Sequence, residues 1–365
     1  MELQKVIAEV DLRALSHNLG VVKKKTGGKD IMAVVKANAY GHGALEVSKH
    51  LIQQGISKLG VAFTGEAVSL RESGIKIPIT VFFDRDNIDE CIRYKLTPTL
   101  FDLSSARKID ARARKLNKKI SVNIKIDTGM GRIGFTMDKA LKNIAAIASL
   151  KNIVTESIMS HFSDADLKDK KFAKLQLKNF QSLINSLAEK KITFKHHHMA
   201  NSAAVLSMPD AHFDMVRPGI MLYGYGYPGV RGLKPVLSLK SNILLLKTVP
   251  RGTPISYGRT FITKRTSTIA TIPLGYADGY SRKLSNKGEV LINGRRVPVA
   301  GRVCMDTTMV DVTDIPDINY KSRVVIIGSQ GKERITAEDI AAMTGTIPYE
   351  VLTSIGQRVK RVYKS

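Results

Sequence analysis

Two patterns predict an α/β chain, a (β/α)8 barrel followed by a mostly-β C-terminal domain. From residue 31 to about 217, short apolar runs alternate with longer amphipathic stretches. Strands alternating with helices build βαβ units and therefore a parallel sheet. Eight such runs can be counted, and eight units match a closed barrel. An open doubly wound sheet would give the same alternation with fewer strands. The second pattern begins near residue 231, where β-branched runs separated by turn residues take over.

Taken in order, the eight runs are residues 31–36, 58–63, 77–83, 97–101, 120–127, 153–162, 193–199 and 213–217. Helix-like stretches between them include residues 44–54, 104–118, 138–150 and 168–189. The β-rich part carries runs at 236–249, 267–273, 289–299, 308–312 and 323–328. Its turns include Pro250-Arg251-Gly252 and Asn293-Gly294, the second a strong hairpin signal. Only residues 337–343 read as a helix there. A boundary falls near residue 230, around Tyr227-Pro228-Gly229, dividing a barrel of residues 1–230 from a β domain of residues 231–365.

Composition narrows the class. Apolar residues make up 43% and charged residues 24% of the 365, ordinary for a globular chain large enough to bury a core. No run approaches the 18 apolar residues of a membrane span, and the first residues lack a secretory layout. Cys91 and Cys304 are the only cysteines, which excludes a disulfide scaffold and fits a cytoplasmic setting. The charge is unusual: 57 Lys and Arg against 32 Asp and Glu, a net +25. Such a field attracts anions. The basic residues are nevertheless spread along helix-like stretches, Trp is absent and aromatics are 6%, so neither nucleic acid nor membrane is the expected partner.

Catalytic groups of such barrels gather at the carboxyl ends of the strands. The first run ends in Lys36, with Met32 and Val34 on the same face. A lysine there either snorkels from the barrel mouth or is an amine of depressed pKa that forms an imine with an aldehyde cofactor. In the fifth run Val122, Ile124 and Ile126 face the helices, while Asn123, Lys125 and Asp127 face the lumen. The loop Thr128–Gly134 that follows has glycines suited to a phosphate, but Arg132 reads better as a clamp for a carboxylate. His161 ends the sixth run. The run His196-His197-His198 is read as structural, because adjacent strand residues point to opposite faces and chelate one ion poorly. No metal is expected. Asn201 or Ser202 caps the next helix, and the eighth run ends in Arg217-Pro218-Gly219-Ile220, a place where barrels often hold phosphate.

The segment Ala33-Val34-Val35-Lys36-Ala37-Asn38-Ala39-Tyr40-Gly41-His42-Gly43 resembles the cofactor-lysine signature of alanine racemases. The resemblance runs on through Met130-Gly131-Arg132, Ala200-Asn201-Ser202, Arg217-Pro218-Gly219, Ser256-Tyr257-Gly258, Gly275-Tyr276-Ala277-Asp278-Gly279 and Cys304-Met305-Asp306. It implies pyridoxal 5′-phosphate as cofactor, alanine as substrate and a homodimer whose sites combine both subunits. Lys36 would carry the cofactor and Tyr257 of the other subunit would be the second base. Arg217 would meet the ring nitrogen, with His161 between Arg217 and Tyr257. Tyr40, Asn201, Ser202, Gly219, Ile220 and Tyr349 would line the cofactor, most of them at its phosphate. Arg132 and Met305 would meet the substrate, Tyr276 would line its entrance, and Lys125 matches a lysine that some members carry as a carbamate. The implied product, D-alanine, would serve peptidoglycan. Thr307 departs from the glutamine usual after the Cys-Met-Asp run. The alternatives are a racemase of broader specificity, a decarboxylase of the same architecture, for which a carboxylate would be expected at position 217, and a basic binding protein.

Overall fold

Parallel strands dominate the first half of the computed structural model, which describes residues 6–226 and 230–365. The expected boundary at Tyr227-Pro228-Gly229 lies outside the described residues. Two units emerge. One comprises Leu15–Ala39 and Ala44–Lys234, the other Met1–Ala14, Tyr40–Gly43 and Pro235–Ser365.

The first unit holds eight successive strands: Asp30–Val34, Lys58–Val61, Ile79–Val81, Thr97–Leu100, Ile120–Asp127, Ile153–Met159, His196–His198 and Met215–Val216. Each of the first six pairs in parallel with the next, and the last pairs with the first. Between the seventh and eighth, the Asp214 N–H donates to His197 O at 3.2 Å and the Arg217 N–H to Ala200 O at 2.9 Å. Those two bonds complete the ring. The intervening helices bury one stripe each, as helical periodicity requires. Met137–Ala148 buries Ala140, Ile144 and Ile147, and Lys171–Glu189 buries Ala173, Gln176, Phe180, Leu183 and Leu187. Two basic clusters sit at helix C-terminal ends, while Lys170, Lys171, Lys174 and Lys178 lie at the start and along helix Lys171–Glu189. Lys23, Lys24 and Lys25 close helix Leu12–Thr26, and Arg112, Arg114 and Lys115 close Leu103–Lys115, where cations meet the negative end of the helix dipole.

The second unit is built on a seven-stranded sheet. Its path runs Arg295–Pro298, Glu289–Ile292, Val324–Gln330, Leu237–Ser241, Val6–Asp11 and Lys360–Lys364, with Glu333–Ile335 paired to Val324–Gln330. A three-stranded sheet joins Leu245–Val249, Ser267–Ile272 and Thr308–Asp311. Asn293 and Gly294 have φ of 48° and 75°, the two left-handed positions a tight hairpin needs.

Two expectations are corrected, and the grouping of the chain's first residues adds to the expected division. By contact, residues 6–14 and 40–43 group with the β-rich unit, beside the residues that follow the expected boundary. The reason is long-range pairing: Val6–Asp11 runs antiparallel to Leu237–Ser241 and parallel to Lys360–Lys364, which local pattern does not encode. The run at 236–249 is two strands, broken at Asn242–Leu244. Beyond Ala337–Thr344 a second helix, Pro348–Thr353, forms from a proline in the first helical turn, a position that suits it. Among the described residues, no helix is long and apolar enough to cross a membrane.

Candidate active site

Because the eight strands are parallel, the residues that follow them share one rim of the barrel. Lys36 stands two residues past strand Asp30–Val34. The strand does not continue through it as expected, because the backbone turns left-handed: Ala37, Asn38, Ala39 and Tyr40 have φ of 51°, 54°, 53° and 53°. Each L-residue in that region costs about 1–2 kcal/mol, so the turn needs anchors. The Ala39 N–H donates to Val35 O at 2.8 Å, and Asn38 Oδ1 accepts the Ala44 N–H at 2.8 Å. The Ala37 N–H donates to a Glu66 carboxylate oxygen at 2.5 Å. Lys36 Nζ lies 5.5 Å from the centre of the Phe83 ring, and the Arg132 guanidinium 5.2 Å from the same ring. Burial and the Arg132 cation hold the Lys36 amine below the usual lysine value, with Glu66 opposing them.

Strand parity places the fifth strand as expected. Asn123 and Lys125 are buried in the barrel, and Lys125 Nζ donates to Ile126 O at 2.8 Å. Burial and the Arg217 cation push the Lys125 amine down to about 7, against the pull of Asp127. The loop glycines do not form a phosphate cradle: Asp127 Oδ1 takes the Gly129 and Gly131 N–H groups at 2.9 and 3.1 Å.

Arg217 is buried and ties three strand ends together. It donates to Ser160 O at 2.7 Å, to Met199 O at 3.1 Å and to His198 Nδ1 at 2.8 Å, with His161 Nδ1 at 3.4 Å. Arginine has no acceptor, so His198 Nδ1 must accept and its proton sits on Nε2. That Nε2–H donates to Asn123 Oδ1 at 3.2 Å, and Asn123 Nδ2 donates to Thr99 Oγ1 at 3.0 Å. Burial and the Arg217 charge hold both His161 and His198 well below their usual value, so both are neutral. Arg217 is itself lowered to about 9 and stays a cation at neutral pH. Its Nε–H meets no acceptor among the described residues. Asn201 caps helix Ser202–Ser207 through its side chain at Ala204 N–H, 3.0 Å away. The Ser202 hydroxyl accepts the Gly219 and Met221 N–H groups at 2.9 and 3.3 Å, which fixes the Gly219–Ile220 turn.

The remaining expected residues belong to the β-rich unit. The Tyr40 and Tyr349 rings stand 5.9 Å apart, Tyr349 being carried by helix Pro348–Thr353. Tyr276 and Met305 sit on two loops zipped backbone to backbone. Tyr276 N–H donates to Cys304 O and Ala277 N–H to Met305 O, both at 3.1 Å. Arg358 clamps the same loops, meeting buried Asp278 at 2.7 and 3.0 Å and Asp306 at 2.8 Å. Tyr257 follows Ser256, whose φ is 68°, and its side chain is 70% exposed. The sequence reading missed His198, Asn123, Glu66 and Arg358 as supports. Only His198 had a signal, its parity with inward-facing His196. His196 and His197 instead bond Asp30 and Asp214.

A lysine and a fixed guanidinium on the rim of a (β/α)8 barrel, in a chain that adds a strand-rich unit, define an enzyme of the barrel class with an amine at its centre. Residues 10–228 match the family model for the alanine racemase N-terminal domain, and residues 236–363 that for the C-terminal domain. The chain is 44% identical to the alanine racemase of Carboxydothermus hydrogenoformans, over 99% of this chain and 100% of that one. It matches the crystal structure of the Bacillus anthracis alanine racemase with bound L-Ala-P at a TM-score of 0.93 and 35% identity, covering 100% of this chain and 96% of that one. The Bartonella henselae alanine racemase with covalently bound pyridoxal phosphate gives 0.88 and 32%, covering 99% of each chain. The chain belongs to the alanine racemase family.

Proposed function

We propose that this chain interconverts L- and D-alanine, with pyridoxal 5′-phosphate carried on Lys36, as a cytoplasmic homodimer that supplies D-alanine for peptidoglycan. The observation that carries the reading is the donor set on the barrel rim of a member of this family. Lys36 is an amine biased toward its uncharged form, Arg217 is a cation with an unspent Nε–H, and Ser202 fixes the turn at Gly219. Those groups fit an aldehyde, a ring nitrogen that accepts a hydrogen bond, and a phosphate. The relatives with bound pyridoxal phosphate and with bound L-Ala-P support the cofactor and the substrate class.

When bound, the cofactor draws electron density from the α-carbon of the amino acid. Racemisation then needs a proton removed from one face and one returned to the other. Two bases do this without moving around the carbon: Lys36 on one face and the partner protomer's Tyr257 on the other. Arg217 does not give up its proton, so it holds the ring nitrogen by hydrogen bond alone. Arg132 binds the substrate carboxylate through its planar guanidinium. Neutral His161, whose Nδ1 faces the Arg217 guanidinium, carries its proton on Nε2 and would donate it to the Tyr257 oxygen, biasing that phenol toward its deprotonated form. The uncharged Lys125 amine, with its value near 7, would add to carbon dioxide through its nitrogen and release one proton to solvent, giving a carbamate whose negative charge would hold Arg132. Tyr40, Asn201, Ser202, Gly219, Ile220 and Tyr349 hold the cofactor, Met305 meets the substrate and Tyr276 lines its entrance.

The test is borohydride reduction of the purified protein followed by peptide mass mapping, with racemisation read by chiral chromatography. The cofactor should be fixed to the Lys36 peptide, and Lys36→Ala should abolish racemisation. Cofactor fixed to a different lysine overturns the assignment.

A further inference from the structure

Glu66 lies on helix Thr64–Glu72, past the second barrel strand, and no role in the reaction falls to it by position in the chain. Both of its carboxylate oxygens are in use. One accepts the Ala37 N–H at 2.5 Å, directly after Lys36. The other accepts the N–H groups of Ala62 and Phe63 at 2.7 and 3.2 Å. The second pair is a helix cap, needed because Phe63 at the N-cap offers no acceptor side chain. The first is the only side-chain bond to the amide that enters the left-handed turn among the described residues.

We propose that Glu66 is a positioning residue for Lys36: its carboxylate ties the left-handed turn at 37–40 to the second strand–helix junction and presents a negative charge to the Lys36 amine. The inference deepens the cofactor reading given above and rests on it for the role of Lys36, but not for the turn. Four consecutive L-residues hold φ near 50°, and a turn that strained opens unless bonds close it. Glutamate suits both duties because each oxygen accepts. Glutamine has one acceptor oxygen and must release either the turn or the helix cap.

Charge adds a second readout. The groups facing Lys36 are Arg132 from the loop after the fifth strand, Glu66 from helix Thr64–Glu72, neutral His161 from the end of the sixth strand, and the Phe83 ring. Arg132 favours the uncharged amine and Glu66 the charged one. Removing the Glu66 charge therefore lets the amine shed its proton at lower pH.

The experiment compares the unaltered protein with Glu66→Gln and Glu66→Asp. Amide hydrogen exchange is read by mass spectrometry on peptides covering residues 36–44, with helix Leu103–Lys115 as the control. In parallel, the pH at which borohydride fixes pyridoxal 5′-phosphate to Lys36 is measured by peptide mapping. In Glu66→Gln, exchange of the turn should rise on the order of tenfold or more, as expected for losing a hydrogen bond to a charged group, while the control helix is unchanged. The midpoint of cofactor fixation should move to lower pH. Glu66→Asp keeps the charge but is too short to bridge both sites. Its midpoint should stay near that of the unaltered protein while its turn exchanges fast, and it carries the test alone if Glu66→Gln does not fold. Unchanged turn exchange in the folded variants, or an unmoved midpoint in Glu66→Gln, overturns the proposal. Should the unaltered protein fix no cofactor at Lys36, the cofactor reading fails, and the exchange result still decides the role of Glu66 in the turn.

Discussion

An amine sealed inside a barrel must lose its proton or gain an opposite charge. Lys125 is 2% exposed, and its amine falls from 10.5 to about 7. Between those values the unfolded chain binds the proton and the folded chain does not. Stability must therefore rise with pH through that window, and the penalty is full below pH 7. Lys125→Met removes the titration. In urea unfolding under carbon dioxide-free buffer, the variant should lead the unaltered chain most at pH 6.5, and the gap should close by about 3 kcal/mol by pH 9.5. A gap that does not change with pH would mean that Lys125 is not desolvated as its burial implies. The inward aim of Asn123 and Lys125 was legible from strand alternation, because a period of two is a local property. That His198 holds Arg217, and that the Nε2–H this leaves on His198 donates to Asn123, was not. Those bonds join residues 75 and 19 positions apart through space.

At the scale of elements, the residues expected at the substrate are carried by loops that hold one another. Gly275 is where two backbones meet: a Cβ there would lie 2.2 Å from Met305 O and 2.4 Å from Cys304 O. Neither partner is the end of a flexible side chain, so the loops would have to part. Gly275→Ala should cost about 1–3 kcal/mol in urea unfolding, as overpacking does, and should raise KM for alanine by displacing Tyr276 and Met305 together. Unaltered stability would show that the loops are not zipped as described. The motif Gly275-Tyr276-Ala277-Asp278-Gly279 was visible in the sequence, but the reason for its first glycine lies thirty positions on. The same holds for Asp278, whose partner Arg358 stands 80 positions away. Helix Pro348–Thr353 was missed because six residues are too few to show helical periodicity.

At the scale of the whole molecule, the proposed second base is Tyr257, 221 positions from Lys36 (257 − 36) and in the other unit. Losing one positioned base typically costs about 10²–10⁴ in rate. Tyr257→Phe should slow racemisation by that order in both directions, since each direction needs both faces. It should still let Lys36 exchange the α-proton of D-alanine with heavy water, while exchange from L-alanine is lost. Mass spectrometry of the separated enantiomers reads the difference, and equal retention from both would remove Tyr257 as the second base. The net charge of +25 accords with an anionic cofactor and a carboxylate substrate, and two of its clusters, at the C-terminal ends of helices Leu12–Thr26 and Leu103–Lys115, also serve those helices.

The sequence by itself determined the barrel class, because eight apolar runs at helix-sized intervals leave few other architectures, and it determined which residue types reach the strand ends. Tertiary structure decided the rest. Strand Val6–Asp11 joins the β-rich sheet because its partners, Leu237–Ser241 and Lys360–Lys364, arrive from the far end of the chain. Lys36 leaves its strand for a left-handed turn whose first amide, that of Ala37, is held by Glu66, twenty-nine positions beyond Ala37. Local periodicity reports which face a side chain takes. Only the folded chain brings a distant acceptor to a particular N–H, and those bonds set where the amine of Lys36 and the guanidinium of Arg217 stand.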